Sequence, residues 1–309
     1  MGNVIEPIKE GPQALENGMS PFKGLKGLLW GLTLLLALCT EARHYEVDGI
    51  EWNYRIGGSK RAEIKAVSKT TPAIDKETRG FVTVPSKISN YTVSRIGHNA
   101  FSNCRRITGI AIPRSVIYIG TNAFYKCRSL KEVTIGGRIK EIMAGTFDGC
   151  GSLERISFTN SVKKIGARAF DNCKSLVDIG MLDNVESIGE NAFRYCNSLT
   201  DVILPEGLES LGKCAFFGCE SLASVLIPDS ATDIALDAFY LCNSLVSLEV
   251  GEGNPVYSSR NNILCNKDGP QRLAVQQKRH GSCVLSRRPE RGYNSGWGGW
   301  NFVKGVWIQ

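Results

Sequence analysis

The sequence predicts a solenoid, a fold in which short β-rich units stack in one direction and bury their apolar side chains against each other. Three columns of residues predict this fold, because each recurs every 23 residues through seven units without an insertion. Columns in register at one fixed period are the signature of a repeat architecture. They are Cys104, Cys127, Cys150, Cys173, Cys196, Cys219 and Cys242; Phe101, Phe124, Phe147, Phe170, Phe193, Phe216 and Phe239; and Ile107, Leu130, Leu153, Leu176, Leu199, Leu222 and Leu245.

Each unit is expected to contain one strand in the segment L-x-x-V-x-I, which in the second unit is formed by Leu130, Val133 and Ile135. Two alternating apolar residues are typical of a strand that buries one face and exposes the other. The segment matches the strand of a leucine-rich repeat, whose units contain roughly 20–29 residues. The predicted fold class is therefore a leucine-rich-repeat solenoid of seven 23-residue units.

The remainder of each unit returns the chain to the next strand. Prolines such as Pro205 follow the strands, where the missing N–H does not interrupt a ladder. A second apolar pair, such as Val162 and Ile165, is expected to line the outer side. The A-F-x-x-C segment is predicted to form one short helical turn with its Ala, Phe and Cys side chains inward.

The sequence predicts the following order of domains. A unit cannot bury its apolar side chains alone, so the array is stabilised by contacts between neighbours and needs an irregular unit at each end. Residues 43–95 alternate as strands without the 23-residue pattern and are predicted to form an N-terminal β cap. The leucine-rich repeats then occupy 96–250, and 251–269 form a hairpin segment at the end of the repeats.

Residues 1–42 are predicted to be a signal peptide region. Two lysines precede the apolar run 27–38, and residues 40–42 offer a small residue at each position that a signal peptidase reads. The run is shorter than the ~20 residues of a membrane-spanning helix, so no transmembrane span is expected in this chain, and translation starting at Met19 would give a signal of ordinary length. We therefore expect a secreted or cell-surface protein. A buried core helix over this run and lipid attachment at Cys39 are the alternatives.

The net charge of +7 is concentrated in one part of the chain. Residues 271–309 carry +6 and residues 1–42 carry −1, which leaves +2 for 43–270. Nucleic-acid and anionic-membrane binding both need a concentrated basic field. We therefore expect no nucleic-acid partner.

The chain contains eleven cysteines, which in an exported protein suggest disulfides. Equivalent positions of stacked units have parallel Cα–Cβ vectors, whereas a disulfide needs vectors that converge. The cysteine column is therefore predicted to consist of buried thiols. Cys214 lies in a column that Asn99, Asn122 and Asn191 occupy in other units, and is either an exposed thiol or locally paired.

No site of catalysis or metal binding is expected. The sequence has no C-x-x-C pair, its three histidines are scattered, and it lacks the motifs of zinc proteases, serine hydrolases and nucleotide-binding proteins. The serines before each strand are expected to satisfy backbone groups in turns. We therefore predict that the chain is not an enzyme and has no catalytic residues, metal or cofactor.

The variable positions of the strand segment should line the concave surface, where solenoids bind extended partners. These positions carry charges of both signs in the early units and are more apolar in the later ones. We expect a monomer that binds a protein or glycan, including host extracellular ones. Contact of Ile203 and Leu226 with the C-terminal segment is the alternative. The candidate binding residues are Lys131, Glu132, Thr134, Glu154, Arg155, Ser157, Asp178, Thr200, Asp201, Ile203 and Leu226.

The unit, with its A-F-x-x-C-x-S-L and I-P-x-x-V segments, resembles the BspA-type leucine-rich repeats of bacterial surface proteins. YEVDGI at 45–50 and GNPVYSSRNNILCNKDG at 253–269 are also similar to that family, so the resemblance covers roughly 44–269. It implies a solenoid ectodomain for adhesion to host proteins or other cells, without catalytic residues. A structural spacer that displays another domain is the alternative function, and a degradative enzyme whose catalytic part is missing here is a third.

Residues 270–309 break the pattern and are rich in arginine, glycine and tryptophan. One interpretation is a basic–aromatic tail that contacts the cell envelope or a ligand. The other is translation out of frame. Residues 276–283 can be encoded so that the next reading frame gives Ser-Lys-Ser-Val-Thr-Gly-His, which is similar to the lysine–threonine–glycine hairpin that the family places after N-P-x-Y-S-S.

Overall fold

The computed structural model describes most of the chain after the predicted signal region. The described residues are 43–267, without Asn160, Met181, Leu236 and 261–262, together with the strand backbones 272–274, 301–303 and 306–308. The predicted signal peptide, the alternative start at Met19 and lipid attachment at Cys39 lie outside the described residues. Residues 276–283, on which the reading-frame hypothesis depends, also lie outside the described residues.

Short strands are the regular elements of the described residues, which contain no helix. In chain order the strands are β1 (Arg43–Val47), β2 (Ile50–Gly57), β3 (Arg61–Ile64), β4 (Gly80–Thr83), β5 (Lys87–Ile88), β6 (Tyr91–Ile96), β7 (Ile107–Ile112), β8 (Tyr118–Ile119), β9 (Glu132–Ile135), β10 (Glu141–Ile142), β11 (Arg155–Phe158), β12 (Lys164–Ile165), β13 (Ser187–Ile188), β14 (Asp201–Ile203), β15 (Ser210–Leu211), β16 (Ser224–Ile227), β17 (Asp233–Ile234), β18 (Ser247–Val250), β19 (Tyr257–Arg260), β20 (Ile263–Asn266), β21 (Arg272–Ala274), β22 (Asn301–Val303) and β23 (Val306–Ile308).

The strands confirm a leucine-rich-repeat solenoid of about seven turns. Its inner side carries two parallel sheets, which we call the first inner sheet (β4, β7, β9 and β11) and the second inner sheet (β14, β16 and β18). Its outer side carries a parallel sheet of β10, β12, β13, β15 and β17. Neighbouring strands pair at a shift of one unit, as when Val133 pairs with Ile156 and Ile142 with Ile165. The repeat in the sequence is therefore also the register of the sheets.

The phenylalanine column forms the centre of the core. Its seven rings are buried and stacked, with centroids of successive rings 5.0–5.6 Å apart and ring planes within 2–13° of parallel. In each unit after the first, the cysteine Sγ donates a hydrogen bond of 3.0–3.3 Å to the carbonyl oxygen of the phenylalanine one unit earlier. The two columns therefore link each unit to its neighbour through both ring packing and hydrogen bonding.

The A-F-x-x-C segment forms consecutive β-turns, where a short helical turn was predicted. The residue directly before the segment and its fourth residue adopt positive φ, as Asn99 (57°) and Asn103 (61°) do in the first unit, a conformation that a right-handed helix excludes. Within the unit, the Ala100 N–H donates to the Gly97 carbonyl at 3.3 Å, whereas the Phe101 N–H donates to Ala123 of the next unit at 2.7 Å. Alternate peptide groups are used for bonds between units, so they are not available for a helix.

The strands before the first unit end the phenylalanine column. β1, β2 and β3 pair antiparallel, and β3 pairs parallel with β6. Trp52 in β2 is buried and contacts Phe101 edge-on, with ring centroids 6.1 Å apart and an interplanar angle of 79°. This aromatic contact covers the face that Phe101 would otherwise leave without a stacking partner.

The G-N-P-V-Y segment after β18 fixes the end of the last outer turn. The Asn254 side-chain amide donates to the carbonyl oxygens of Pro228 (2.8 Å) and Ala231 (2.9 Å). Its carbonyl oxygen accepts the N–H groups of Val256 (2.9 Å) and Tyr257 (2.7 Å). Asn254 is fully buried, so its four bonds meet the rule that buried polar groups are paired. The antiparallel strands β19, β20 and β21 follow, and β22 pairs with β23.

Candidate binding face

The side chains at the variable positions of the inner strands project into solvent. In β9 and β16, for example, exposed and buried residues alternate along the strand, as expected for a sheet with one face against the core. The predicted candidates all lie at these positions, and all are exposed except Glu154, which is half-buried. They are Lys131, Glu132, Thr134, Glu154, Arg155, Ser157, Asp178, Thr200, Asp201, Ile203 and Leu226.

Strand register sets which of these side chains are neighbours. Glu132 pairs with Arg155, and Arg155 forms an isolated bridge with Asp178, so charges of alternating sign follow one another across three units. Adjacent strands are about 4.8 Å apart, which places opposite charges within interacting distance. Ile203 and Leu226 are paired in the same way farther along the array. The register therefore brings the charged candidates together in one group and the apolar ones in another.

The inner sheet is interrupted between these two groups. On the inner side between β11 and β14, the described residues form one isolated bridge, between Arg155 and Asp178. The Gly180 N–H donates to the Asp178 carboxylate at 2.8 Å and its φ is +68°, so this unit forms a local turn in place of a strand. The inner surface is consequently divided into a first part, carried by the first inner sheet, and a second part, carried by the second inner sheet.

Of the large apolar side chains exposed at inner positions of the described residues, three lie on the second part, whereas Phe81 and Val177 lie outside it. Ile203 is 87 % exposed, Val246 66 % and Leu226 51 %. Val246 was not among the predicted binding residues, and neither was Phe81, which is 54 % exposed on β4 at the other end of the face. A valine at a variable position is visible in the sequence, so Val246 could have been predicted as a binding residue.

The described chain is strongly divided by charge, which the average over 43–270 conceals. Residues 43–170 contain 22 lysines and arginines against 10 aspartates and glutamates, a net charge of +12. Residues 171–267 contain 5 against 14, a net charge of −9. A sum made unit by unit would have found this division, and the near-neutral average did not.

A cluster of ion pairs lies at the boundary between the two charged parts. The fully buried carboxylate of Asp171 accepts hydrogen bonds from Arg194 at 2.9 and 3.0 Å, and Arg168 lies 3.0 Å from it. Arg168 also binds Asp148 at 3.0 Å. Burial raises the pKa of Asp148, and the Arg168 guanidinium opposes that shift. These side chains pair with one another on the turn segments and are not on the inner strands.

The described cysteine column consists of buried thiols that form no disulfide with one another. Burial raises the pKa of Cys104 to about 12 and holds those of Cys127, Cys173 and Cys219 well above the ordinary range. Cys214 is half-buried and forms no disulfide; its Sγ donates to the Asp237 carboxylate at 3.4 Å. Burial and this carboxylate raise its pKa to about 12. Cys214 is thus a half-buried free thiol that is hydrogen-bonded to Asp237, neither fully exposed nor joined in a disulfide.

Within the described residues, no helix is long and apolar enough to span a membrane. The same residues place no group of three or more histidine, cysteine, aspartate or glutamate side chains where a metal ion could be held.

Several solved structures of bacterial proteins are similar to the chain. A leucine-rich-repeat protein of T. pallidum is 27 % identical over 66 % of this chain and 79 % of its own, with a TM-score of 0.44. A leucine-rich cell surface protein of Faecalibacterium prausnitzii A2-165 is 29 % identical over 74 % of this chain, with a TM-score of 0.46. The pneumococcal vaccine antigen PcpA is 22 % identical over 73 % of this chain, with a TM-score of 0.49. The chain spans 59 % and 54 % of the latter two proteins.

A search of curated proteins finds no match. The family model for the BspA type leucine rich repeat region, in contrast, matches residues 83–200 and 163–266 in six copies. These ranges cover more than half of the chain and contain the phenylalanine, cysteine and leucine columns. The chain therefore belongs to the BspA-type leucine-rich-repeat family.

Proposed function

We propose that this chain is an exported protein that acts at the cell surface by binding a protein or glycan on the concave face of its repeats. The observation that carries the proposal is the set of exposed side chains in register on the two inner sheets, with Ile203 87 % exposed among them. Clustered apolar side chains on the surface of a folded protein mark interaction sites. Repeat proteins use such extended surfaces to bind extended partners.

Export is supported by the lysines, the short apolar run and the small residues in 1–42. The eleven candidate residues named above are proposed as the contact set, and one copy of the chain suffices to present them. The role proposed is binding and not catalysis. Host extracellular proteins and glycans are the partners that we propose to test first.

The test uses purified chain and an array of purified extracellular-matrix proteins and glycans. We expect saturable binding to at least one of them, weakened at least about tenfold by Arg155→Ala combined with Asp201→Ala. The matched control is Arg128→Ala with Glu220→Ala, which removes the same two charges from exposed positions directly after the cysteine column. We expect the control to bind within about twofold of the unaltered chain.

Two results would contradict the proposal. Equal loss of binding in both variants would show that the concave face is not the contact surface. An absence of saturable binding across the array would favour a spacer that displays another domain.

A further inference from the structure

The second inner sheet presents apolar side chains surrounded by acidic ones. Ile203 and Leu226 are adjacent in register, and Leu226 is adjacent to Glu249 on β18. Asp201 lies on the same strand as Ile203, and Val246 directly precedes β18. We call this surface the apolar–acidic face and define it as Asp201, Ile203, Leu226, Val246 and Glu249.

Further acids occur at one position after the inner segment of four successive units, at the same step of 23 residues. They are Asp183, Glu206, Asp229 and Glu252, and all four are exposed. All four lie in turn segments, and like charges on neighbouring units repel one another. Four acids at one position of successive units therefore create a negative edge that a cationic partner would stabilise.

Strands β14, β16 and β18 contain no lysine or arginine. Lys267 lies at one end of the acidic edge, where its Nζ donates to the Glu252 carbonyl oxygen at 3.5 Å. In the sequence from 175 to 259 the basic residues are Arg194 and Lys213, and both lie in turn segments outside the inner strands. Arg194 is held by Asp171. Among the ion pairs of the described residues, none includes Asp201, Glu206 or Glu249. The first inner sheet differs, because Glu132 there is in register with Arg155.

We propose that the apolar–acidic face binds a cationic amphipathic segment of a partner protein. Bulky apolar side chains of that segment pack on Ile203 and Leu226, and its lysines and arginines lie against Asp201, Glu249 and the acids of the edge. The inference rests on the proposed function, which assigns partner binding to the concave face, and it adds the chemistry of the partner. Charge complementarity selects this occupant, because residues 171–267, which carry the apolar pair, have a net charge of −9, and the charged residues on β14, β16 and β18 are acidic.

The two kinds of contact have different dependences on salt. Exposed charges are screened over a Debye length of about 8 Å at physiological ionic strength, whereas packing on Ile203 and Leu226 removes apolar surface from water. Binding should therefore weaken as salt rises without disappearing. Removal of the acids should flatten this salt dependence, and removal of the apolar pair should not.

The experiment measures fluorescence anisotropy of labelled synthetic peptides with the full chain. The probe is a 12-residue peptide of alternating leucine and lysine; its two controls alternate serine with lysine and leucine with glutamate. We expect the leucine–lysine probe to bind at least about tenfold more tightly than either control peptide. Ile203→Thr with Leu226→Thr should weaken the probe by at least about tenfold, and Asp201→Asn with Glu249→Gln by about fivefold.

Matched variants remove the same groups from exposed positions of other surfaces. Glu209→Gln with Asp233→Asn removes two acids from the outer side of the same half, and Ile117→Thr removes an exposed apolar side chain beside β8. Both should bind the probe like the unaltered chain. Equal losses in the matched variants, or equal binding of the serine–lysine peptide, would overturn the inference.

Other occupants of the face give distinct results. If Trp297→Ser with Trp300→Ser and Trp307→Ser raises probe affinity tenfold, the face is occupied by the tail of this chain and the inference is wrong. Self-association that Ile203→Thr abolishes would assign the face to a second copy and would also overturn it. Failure of the probe to bind, while matrix binding still depends on Arg155 and Asp201, overturns this inference and leaves the proposed function standing.

Discussion

At the scale of single residues, the phenylalanine column leads to a prediction about stability. Phe170 is stacked between Phe147 and Phe193, with centroids 5.3 and 5.1 Å away. Phe170→Ala should lower the free energy of unfolding by about 3–5 kcal/mol, because it leaves a cavity between two units. Chemical denaturation measures the change. The matched control is Phe81→Ala at an exposed position, and a loss in Phe170→Ala no larger than in this control would show that the column is not the centre of the core.

Cys214 gives a second prediction at this scale. Its pKa is raised to about 12, and Asp237 contributes to the shift after burial. Iodoacetamide reacts with the thiolate, so alkylation of Cys214 in the folded chain should be slow at pH 8 and should accelerate as the pH rises. Asp237→Asn removes a negative charge that disfavours the thiolate, so it should lower the pKa and raise the alkylation rate at pH 8 several-fold. A rate unchanged by Asp237→Asn would mean that the carboxylate does not control the thiol.

At the scale of structural elements, the segment after β18 depends on one side chain. Asn254→Ala removes four hydrogen bonds and leaves the carbonyl oxygens of Pro228 and Ala231 without that donor. Each unsatisfied buried group costs roughly 1–3 kcal/mol, so we expect at least about 2 kcal/mol of destabilisation in urea titrations. Asn243→Ala, at an exposed position, is the control. Equal midpoints for the two variants would contradict the role of Asn254.

The elements also show what the sequence could predict. The L-x-x-V-x-I pattern predicts the inner strands because alternation reports directly on burial, and the structure confirms them in six of the seven units. The exception, around Asp178, depends on a side chain that bonds its own turn, which the apolar pattern does not record. The helical turn was not found because its conformation depends on bonds to the next unit. Asn99 and Asn103 tolerate positive φ, but Arg168 and Leu241 adopt it too and carry no such signal.

For the candidate site too, the sequence predicted some features and missed others. Positions on the concave face follow from alternation, so the exposure of Lys131 and Ile203 could be predicted. The interruption of the sheet and the division by charge depend on comparison between units, which averaging removes. The domain boundaries at 43–95, 96–250 and 251–269 remain predictions.

At the scale of the whole molecule, the charge division predicts how stability depends on salt. Residues 43–170 carry +12 and residues 171–267 carry −9, so like charges repel within each half. Salt screens this repulsion. Raising NaCl from about 20 to 300 mM should therefore raise the Tm by a few degrees, because each shift of about 1 kcal/mol corresponds to several degrees in a domain of this kind. Calorimetry measures it, and a fall in Tm would show that attraction between the halves dominates.

The β-turn segments have an electrical consequence for the whole array. In each of the first six units the backbone N–H of the phenylalanine donates to a carbonyl oxygen of the next unit, and N–H groups two residues before and after it point the same way. Peptide dipoles of about 3.5 D that align head to tail add to a macrodipole, as they do in an α-helix. Its negative end lies at the first unit and its positive end at the last. Residues 43–170, on the side of the negative pole, carry net positive charge and residues 171–267, on the side of the positive pole, net negative charge, so the charge of each half has the sign that its pole attracts.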